Sequence, residues 1–351
     1  METPMKIWRR GDTHPVYTPT PGSLAYEYVG KPGVKYPPEI LLYEEEDLAK
    51  FRSSEKLAKD SETCAASVKL ALELGKRGQV RQLMTMRPTY QAELTNLRHQ
   101  FPNFSEVIDY IQCCAELAWR TDKVLRFTPI LLAGEGGVGK TMFSEALANW
   151  MCHGFHRISV SSSQNGSDLA GSSAFFSNAK PGVPFTALVY SDYANPLIFL
   201  DEIDKNTTAA YDALGALYVL LEPSTAKTYK DACYPLPIRA DEILYVSACN
   251  EPDNLPAALR SRFREFIITI TPEQSLQIAN TIINSTLRNL APAADGILFS
   301  ATAIESLARL TPRRISQAVK EAIGKAFIDG IFEIDHIHNA VPIKRRIGFL
   351  Q

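Results

Sequence analysis

A glycine-rich loop that ends in a lysine and a threonine is the part of the sequence with the clearest chemistry. Residues 134–141 read Gly-Glu-Gly-Gly-Val-Gly-Lys-Thr and fit the pattern G-x-x-x-x-G-K-[ST]. Glycines at this spacing let backbone N–H groups point inward around phosphate oxygens, and the positive end of a following helix adds to the attraction. Lys140 can reach the β- and γ-phosphates, and the Thr141 hydroxyl can ligate Mg²⁺. The residues expected to hold ATP are Gly134, Glu135, Gly136, Gly137, Val138, Gly139, Lys140, Thr141 and Met142.

Two adjacent carboxylates follow a later apolar run, in which residues 195–202 read Asn-Pro-Leu-Ile-Phe-Leu-Asp-Glu. A strand that ends in a carboxylate brings it to the ligand-binding edge of a parallel sheet, beside the phosphate loop. Asp201 is expected to hold Mg²⁺ through water, and Glu202 to orient and polarise the attacking water. Asp204, in the same turn, is interpreted as structural, with contact to a neighbouring subunit as the alternative.

The elements that must position these residues alternate between strands and helices. Short apolar runs predict five strands, at residues 129–133, 156–161, 197–200, 243–248 and 266–270. Buried strands that alternate with helices, such as the one predicted over residues 140–151, indicate a parallel sheet covered on both faces. The predicted fold class is therefore α/β, with a five-stranded parallel sheet sandwiched by helices.

The ends of the chain have different patterns. Residues 1–43 are rich in Pro, Tyr and Gly and are predicted to be an extended arm. Helical patterns follow over residues 44–78, 88–100 and 105–119, and after residue 272 the strand signals stop. The predicted organisation is an N-terminal arm with helices (1–95), an α/β nucleotide-binding domain (96–272) and a small α-helical lid (273–351).

Composition narrows the classes of function. The chain has 351 residues, 45% of them hydrophobic, and a formal net charge of −2, which does not favour wholesale nucleic-acid binding but leaves a local basic patch open. Six cysteines without a C-x-x-C pair suit a reducing, cytoplasmic compartment. We find neither a signal peptide nor an apolar run of about 18 residues, so no membrane span is expected.

With both nucleotide motifs placed, the chain resembles the AAA+ ATPases. Asn250 follows an apolar strand, and its position matches sensor 1, which helps to position the lytic water in that family. Arg262 matches the arginine finger that reaches the ATP of an adjacent subunit, with Arg260 and Arg264 as alternatives. Arg313, at the start of a lid helix, matches the sensor 2 arginine that touches the γ-phosphate, and Arg314 is the alternative there. The resemblance implies a homo-oligomer, typically a hexamer.

Within this family, the ATPase module of Lon proteases is the resemblance that extends furthest. It rests on residues 155–159, 195–205, 220–223, 255–256 and 171–182. In Lon the last stretch is a pore loop whose aromatic residue grips the substrate polypeptide. Phe176 matches that aromatic position and Phe175 precedes it; packing in the core is the alternative for both.

The same resemblance suggests limits and one further element. Residues 226–237 match a hairpin insert in Lon and are a candidate second element that faces the pore or a neighbouring subunit. The resemblance covers residues 96–330, and the segment after residue 330 is too short for the serine–lysine peptidase half of Lon, so no protease activity is expected of this chain.

Three functions compete at this point. The first is an oligomeric ATPase that remodels or translocates a protein substrate. The second is a nucleotide-gated regulator or scaffold, whose N-terminal arm (residues 1–43) wraps a neighbouring subunit or a partner enzyme. The third is a DNA-acting AAA+ protein, which the near-neutral charge disfavours.

Overall fold

We analysed a computed structural model of the chain. It describes residues 38–55, 62–151, 153–160, 167–173, 179–205 and 214–337.

The described N-terminal part combines two helices with a two-stranded antiparallel sheet. In chain order its elements are β1 (Glu39–Leu41), α1 (Glu45–Glu55), α2 (Glu62–Arg77) and β2 (Val80–Gln82). The prediction of an extended arm over residues 1–43 was wrong at its end, because residues 39–41 pair with residues 80–82. This pairing is between residues distant in sequence, so no local pattern announced it. Residues 1–37 lie outside the described part.

Two helices then lead to the central sheet, as predicted. They are α3 (Tyr90–Gln100) and α4 (Ser105–Arg120), separated by a single 3₁₀ turn, Pro102–Phe104. Phe104 is fully buried and stacks on Phe143, with ring centroids 4.2 Å apart. The linker between the two helices is therefore packed directly against the helix that follows the phosphate loop.

The central sheet has five parallel strands, which confirms the predicted fold class. In chain order the elements of this part are β3 (Ile130–Ala133), α5 (Lys140–Met151), β4 (Phe155–Ser159), α6 (Ser167–Ala170), α7 (Val183–Val189), β5 (Leu197–Asp201), α8 (Gly215–Leu220), α9 (Pro223–Ala226), β6 (Leu244–Cys249), α10 (Ala257–Arg260) and β7 (Arg264–Ile267). The strand order is β4-β5-β6-β3-β7. Strands β3, β5 and β6 are buried along their whole length, because helices cover both faces of the sheet.

The C-terminal part is mostly helical. Its elements are α11 (Pro272–Leu290), β8 (Leu298–Phe299), α12 (Ala301–Leu307), α13 (Pro312–Asp329) and β9 (Glu333–Ile334). The expectation that strands end before this part was wrong, because β8 and β9 form a small parallel pair. Two residues per strand are too few to produce a readable alternation. None of the described helices is long and apolar enough to cross a bilayer.

Three hydrophobic clusters hold these parts. One lies on the face of the sheet that the N-terminal helices share, and includes Leu48 and Leu74 together with Ile198 of β5. A second, on the opposite face, joins α3, α4 and α5. The third lies within the C-terminal helices. The N-terminal helices thus share a core with the sheet, whereas the C-terminal helices have one of their own.

A buried arginine ties the N-terminal sheet to the central domain. Arg81 of β2 is only 2% exposed, and within the described part of the chain it forms no ion pair. Its guanidinium donates to the carbonyl oxygens of Gly78 and Val80, both at 2.8 Å, and of Leu188 and Val189, both at 3.2 Å. Burial lowers the pKa of Arg81. The last two carbonyls belong to the C-terminal turn of α7, where a cation is favoured.

Replacing this arginine should loosen the attachment. Arg81→Ala should lower the free energy of unfolding by about 2–4 kcal/mol, because it leaves buried carbonyls without a donor. Urea denaturation followed by circular dichroism measures the change. Arg77→Ala is the matched control: its ion pairs with Glu73 and Asp192 are partly exposed, and it should cost less than about 1 kcal/mol. Equal losses in the two variants would contradict this account.

Candidate nucleotide site

The phosphate loop connects β3 to α5, as predicted, and its backbone requires glycine at several positions. Gly137 and Gly139 have φ values of 89° and 103°, in the region that disfavours other residues. At Gly134 a Cβ would lie 2.5 Å from the backbone oxygen of Ile268. Helix α5 begins at Lys140, so its unpaired N–H groups and positive dipole end face the loop. The loop therefore forms a cradle for an anion. Side chains in place of these glycines would fill the cradle.

Lys140 connects the loop to the neighbouring strand. Its Nζ donates to the backbone oxygens of Gly134 at 2.5 Å and Glu135 at 3.1 Å, and to Asn250 Oδ1 at 3.0 Å. Burial lowers the pKa of Lys140, and the nearby carboxylates Asp204 and Asp201 act in the opposite direction. The two residues singled out from separate motifs, Lys140 and Asn250, are thus in direct contact.

Asp201, predicted to hold Mg²⁺, ends β5, and the predicted catalytic Glu202 follows it; both have basic partners. Asp201 is 9% exposed and accepts from a guanidinium nitrogen of Arg157 on β4 at 2.5 Å. Glu202 has a φ of 55°, a left-handed conformation that is uncommon for a residue other than glycine. Such conformations concentrate at functional sites. Lys205 Nζ donates to Glu202 Oε1 at 2.5 Å.

Asp204 joins the ends of two strands. Its Oδ2 accepts from the backbone N–H groups of Asn250 at 3.0 Å and Glu251 at 2.9 Å. The side chain is buried, at 7% exposure. These bonds support the structural interpretation of Asp204, because they fix the backbone that carries Asn250.

Two of the three candidate finger arginines are engaged within their own chain. Arg260 pairs with Glu265 at 2.7 Å and with Asp253 at 2.6 Å. Arg264 lies over the Tyr110 ring, 4.1 Å from its centroid. Neither guanidinium can reach a second molecule without giving up these contacts.

Arg262 is half-buried and also has contacts within its own chain. It donates to the backbone oxygen of Ala258 at 2.6 Å, and its guanidinium carbon lies 5.2 Å from the centroid of the Tyr218 ring. Among the described residues it has no carboxylate partner. The contacts therefore set only Arg260 apart, because Arg264 likewise has no carboxylate partner among the described residues, and the choice of Arg262 as the finger stays a prediction.

The start of α13 approaches the phosphate loop. A Cβ built on Gly137 would lie 3.4 Å from Thr311 Oγ1 and 3.7 Å from Arg313 Cβ. Arg313 and Arg314 are both exposed, but successive helical residues point about 100° apart, so they cannot both face the loop. This approach favours Arg313 as the lid residue that faces the nucleotide.

A cavity of about 410 Å³ adjoins the loop and was not foreseen. Phe101, Val138, Met142, Ile278 and Pro312 supply apolar surface, and Asn103, Thr281 and Ser285 supply polar groups. The walls come from the turn before α4, from the loop itself and from α11 and α13. In the sequence, residues 101–103 registered only as a break between helices. The one sequence signal for this cavity wall was a phenylalanine, Phe101, close to an amide side chain, Asn103, and that signal is weak.

Asn103 contacts the phosphate loop from the side of this cavity. Its Nδ2 donates to the backbone oxygen of Val138 at 3.1 Å. Gln274 of α11 donates to the backbone oxygen of Pro102 at 3.1 Å, so the same turn also contacts the C-terminal helices.

Three further predictions concern Thr141, the pair Phe175–Phe176 and residues 226–237. Thr141 is half-buried in the first turn of α5, next to Lys140. Phe175 and Phe176 lie outside the described residues, so their assignment to a pore loop stays a prediction. That residues 226–237 face a pore or a neighbouring subunit also stays a prediction, and Tyr229 and Tyr234 are buried, so their side chains cannot supply such a surface.

Comparison with known proteins agrees with this geometry. The sequence pattern of the family described as "ATPase family associated with various cellular activities (AAA)" matches residues 130–270. Residues 130–270 are an AAA domain. The matched range begins at the first residue of β3 and ends just before α11, so it contains the phosphate loop, both carboxylates, Asn250 and Arg262.

Lon proteases match this AAA domain and its flanks. The chain is 31% identical over 153 residues to the Lon protease of Amoebophilus asiaticus, covering 43% of this chain and 18% of that protein. It is 32% identical over 167 residues to the mitochondrial Lon protease homolog of Eremothecium gossypii, covering 47% and 15%. To the Lon protease of Fervidobacterium nodosum it is 30% identical over 211 residues, covering 58% and 26%. The expected resemblance to the ATPase module of Lon is confirmed, and the matched segments span about a quarter or less of these relatives.

Solved structures of the RuvB Holliday junction branch migration motor of Thermotoga maritima are also similar. One has 22% sequence identity and a TM-score of 0.45, covering 66% of this chain and 65% of that chain. A point mutant of the same RuvB has 18% identity and a TM-score of 0.47, covering 66% of each chain.

Two loop glycines allow a matched test of this cradle. In Gly134→Ala the added Cβ meets the backbone of Ile268, so we expect about 1–3 kcal/mol less stability without nucleotide and weaker ATP binding. In Gly136→Ala the Cβ meets nothing within 4 Å, and the nucleotide-free stability should change by less than about 0.5 kcal/mol. Thermal unfolding and titration with a fluorescent ATP analogue measure both effects. Equal stability of the two variants would argue against the close approach at Gly134.

Proposed function

We propose that this chain is an ATP hydrolase that assembles into a ring and uses ATP turnover to remodel or translocate a polypeptide. The observation that carries the proposal is the contact of Lys140 with Asn250. It lies at the sheet edge that also carries Asp201 and Glu202. This edge combines an anion cradle with carboxylates in the manner that phosphoryl transfer to water needs.

The residues fit ATP and Mg²⁺. The glycine cradle and the N-terminus of α5 suit the phosphates, and the adjoining apolar cavity suits a flat base. Asp201 and Thr141 offer the oxygen ligands that Mg²⁺ prefers. When bound, ATP–Mg²⁺ would supply the phosphoric anhydride that is hydrolysed. For Asp201 to serve the metal, Arg157 must release or share its carboxylate.

The roles of the other groups follow from their chemistry. Lys140 would neutralise charge on the phosphates once it leaves its backbone acceptors. Glu202 would accept a hydrogen bond from the attacking water, and Asn250 would help to hold that water in line. Arg313 would report from the lid on the terminal phosphate. These roles need a carboxylate and an amide at adjacent strand ends, which is where Glu202 and Asn250 lie.

Assembly into a ring is supported by Arg262. A cation without a carboxylate partner in the described part of its own chain is suited to charge that develops on a neighbour's nucleotide. A head-to-tail interface that places Arg262 of one subunit at the site of the next gives a ring when the rotation between subunits closes. The polypeptide substrate is proposed from the similarity to Lon proteases and from Phe175–Phe176.

Removing the catalytic carboxylate tests the hydrolase and the assembly together. Glu202→Gln should bind ATP but hydrolyse it at least ~100-fold more slowly, because the amide cannot take up the proton of water. In ATP and Mg²⁺ it should therefore accumulate as a ring, measured by light scattering after size exclusion. The control, Glu145→Gln, changes an exposed carboxylate of α5 and should behave as wild type.

A monomer with ATP bound, in both wild type and Glu202→Gln, would rule out the ring. The regulator with a partner protein would then be the better account of the same nucleotide site.

Mixing two inactive variants tests whether Arg262 acts on a neighbour. Arg262→Ala and Glu202→Gln should each lose turnover, yet a mixture should recover part of it, since about one interface in four then combines an intact Glu202 with an intact Arg262. Coupled-enzyme ATPase assays measure the recovery. Arg264→Ala, which removes a cation packed closely over the Tyr110 ring of its own chain, should keep its turnover. If the mixture stays inactive, Arg262 does not act in trans.

A further inference from the structure

A buried carboxylate lies in the connection between β5 and β6. Asp231 is 1% exposed. Its Oδ2 accepts from the backbone N–H of Gly182 at 2.8 Å, and its Oδ1 from those of Cys233 at 2.8 Å and Tyr234 at 3.4 Å. Burial raises the pKa of Asp231 to about 6. Within the described part of the chain no cation pairs with it, so backbone N–H groups alone hold this desolvated charge.

The backbone around Asp231 is shaped to accept it. Gly171 has a φ of 77°, and a Cβ there would collide with the Asp231 carboxylate. At Gly182 a Cβ would lie 2.5 Å from the backbone oxygen of Leu169. Neither position has room for a side chain. These glycines begin and end the stretch 171–182, whose middle carries Phe175 and Phe176.

Further hydrogen bonds join the two ends of the stretch 171–182, which together form its neck. The backbone N–H of Ser172 donates to the Lys180 oxygen at 2.9 Å, and the Lys180 N–H donates to Ser172 Oγ at 2.7 Å. From the Asp231 side, the Ala232 N–H donates to the Ala170 oxygen at 2.8 Å and the Tyr229 hydroxyl to the Leu169 oxygen at 3.0 Å. Both ends of the loop are therefore held by one short segment.

We propose that Asp231 is a positioning residue that clamps both ends of the 171–182 loop to the connection between β5 and β6. This deepens the proposed function and rests on it, since the loop matters most if it grips a polypeptide. Asp231 lies on the chain between β5 and β6, the two strands that Glu202 and Asn250 directly follow. If that sheet edge moves during turnover, the backbone hydrogen bonds of the clamp transmit the movement to the 171–182 loop. Without them the two ends of the loop could move independently of the sheet.

Two variants break the clamp from opposite sides. Asp231→Asn removes the charge and presents an amide N–H₂ to at least one N–H donor, and Gly171→Ala inserts a methyl group against the carboxylate. The matched control is Asp168→Asn, which loses only an exposed ion pair with Lys180. Hydrogen exchange read by mass spectrometry, ATPase kinetics, and ATPase stimulation by carboxymethylated lactalbumin as an unfolded polypeptide are measured for all three.

We expect exchange of the hydrogen-bonded amides of residues 171, 172, 180, 182, 233 and 234 to be about tenfold faster in both clamp variants. The basal kcat and the KM for ATP should stay within about twofold of wild type, while stimulation by the polypeptide is lost. Asp168→Asn should match wild type in every measurement. Unchanged exchange at the neck, or full stimulation despite faster exchange, would overturn the proposal. If Asp231→Asn does not fold, Gly171→Ala decides alone.

Phe176→Ala separates this inference from the proposed function. If Phe176→Ala loses stimulation and the clamp variants keep it, the clamp inference fails and the gripping loop stands. If the polypeptide stimulates neither wild type nor Phe176→Ala, the translocase proposal fails. Exchange at the neck then decides the clamp: faster exchange confined to those amides supports it, and unchanged exchange overturns it.

Discussion

The parallel pairing of β3 with β6 is the constraint on which the nucleotide site depends. Ala133 lies opposite Cys249, so the next residues, Gly134 and Asn250, emerge side by side. Strand β5 continues the same edge on the other side of β6. A shift of one residue in the pairing of β3 with β6 would turn every side chain of the shifted strand to the other face of the sheet. It would also separate Lys140 from Asn250. The chemistry at this edge is thus a consequence of strand register.

Charges at that edge are compensated within the chain. Asp201 is paired with Arg157, Glu202 with Lys205, and Asp204 with two backbone N–H groups. A nucleotide that binds at this edge would therefore exchange partners with these groups and would not simply fill a ready pocket of free charges. Because desolvated charges are costly unless paired, these partners stabilise the acids and hold them oriented.

The two ends of the chain are attached to the AAA domain in different ways. The N-terminal helices share a hydrophobic cluster with the sheet, and buried Arg81 adds four bonds to carbonyls on both sides of the junction. The C-terminal helices have their own cluster and touch the linker through Gln274 and Pro102. A body with its own core and few polar links can turn as a unit around the nucleotide, whereas one that shares a core cannot.

Local chemistry was enough to predict the phosphate loop, the carboxylates at the end of β5 and the parallel sheet from the sequence alone, whereas Asn250 was singled out by the resemblance to the AAA+ ATPases. Each prediction from local chemistry depends on residues adjacent in the chain, or on short apolar runs that only a doubly covered sheet explains. The strand at residues 39–41 and the β8–β9 pair escaped detection because their partners are distant and their strands short. Only the tertiary structure separated Arg260 from Arg262 and Arg264, since the carboxylates of Asp253 and Glu265 lie beside Arg260 in space. The same holds for the cavity beside the loop and for Asp231, whose role comes from backbone N–H groups that carry no signature in the sequence.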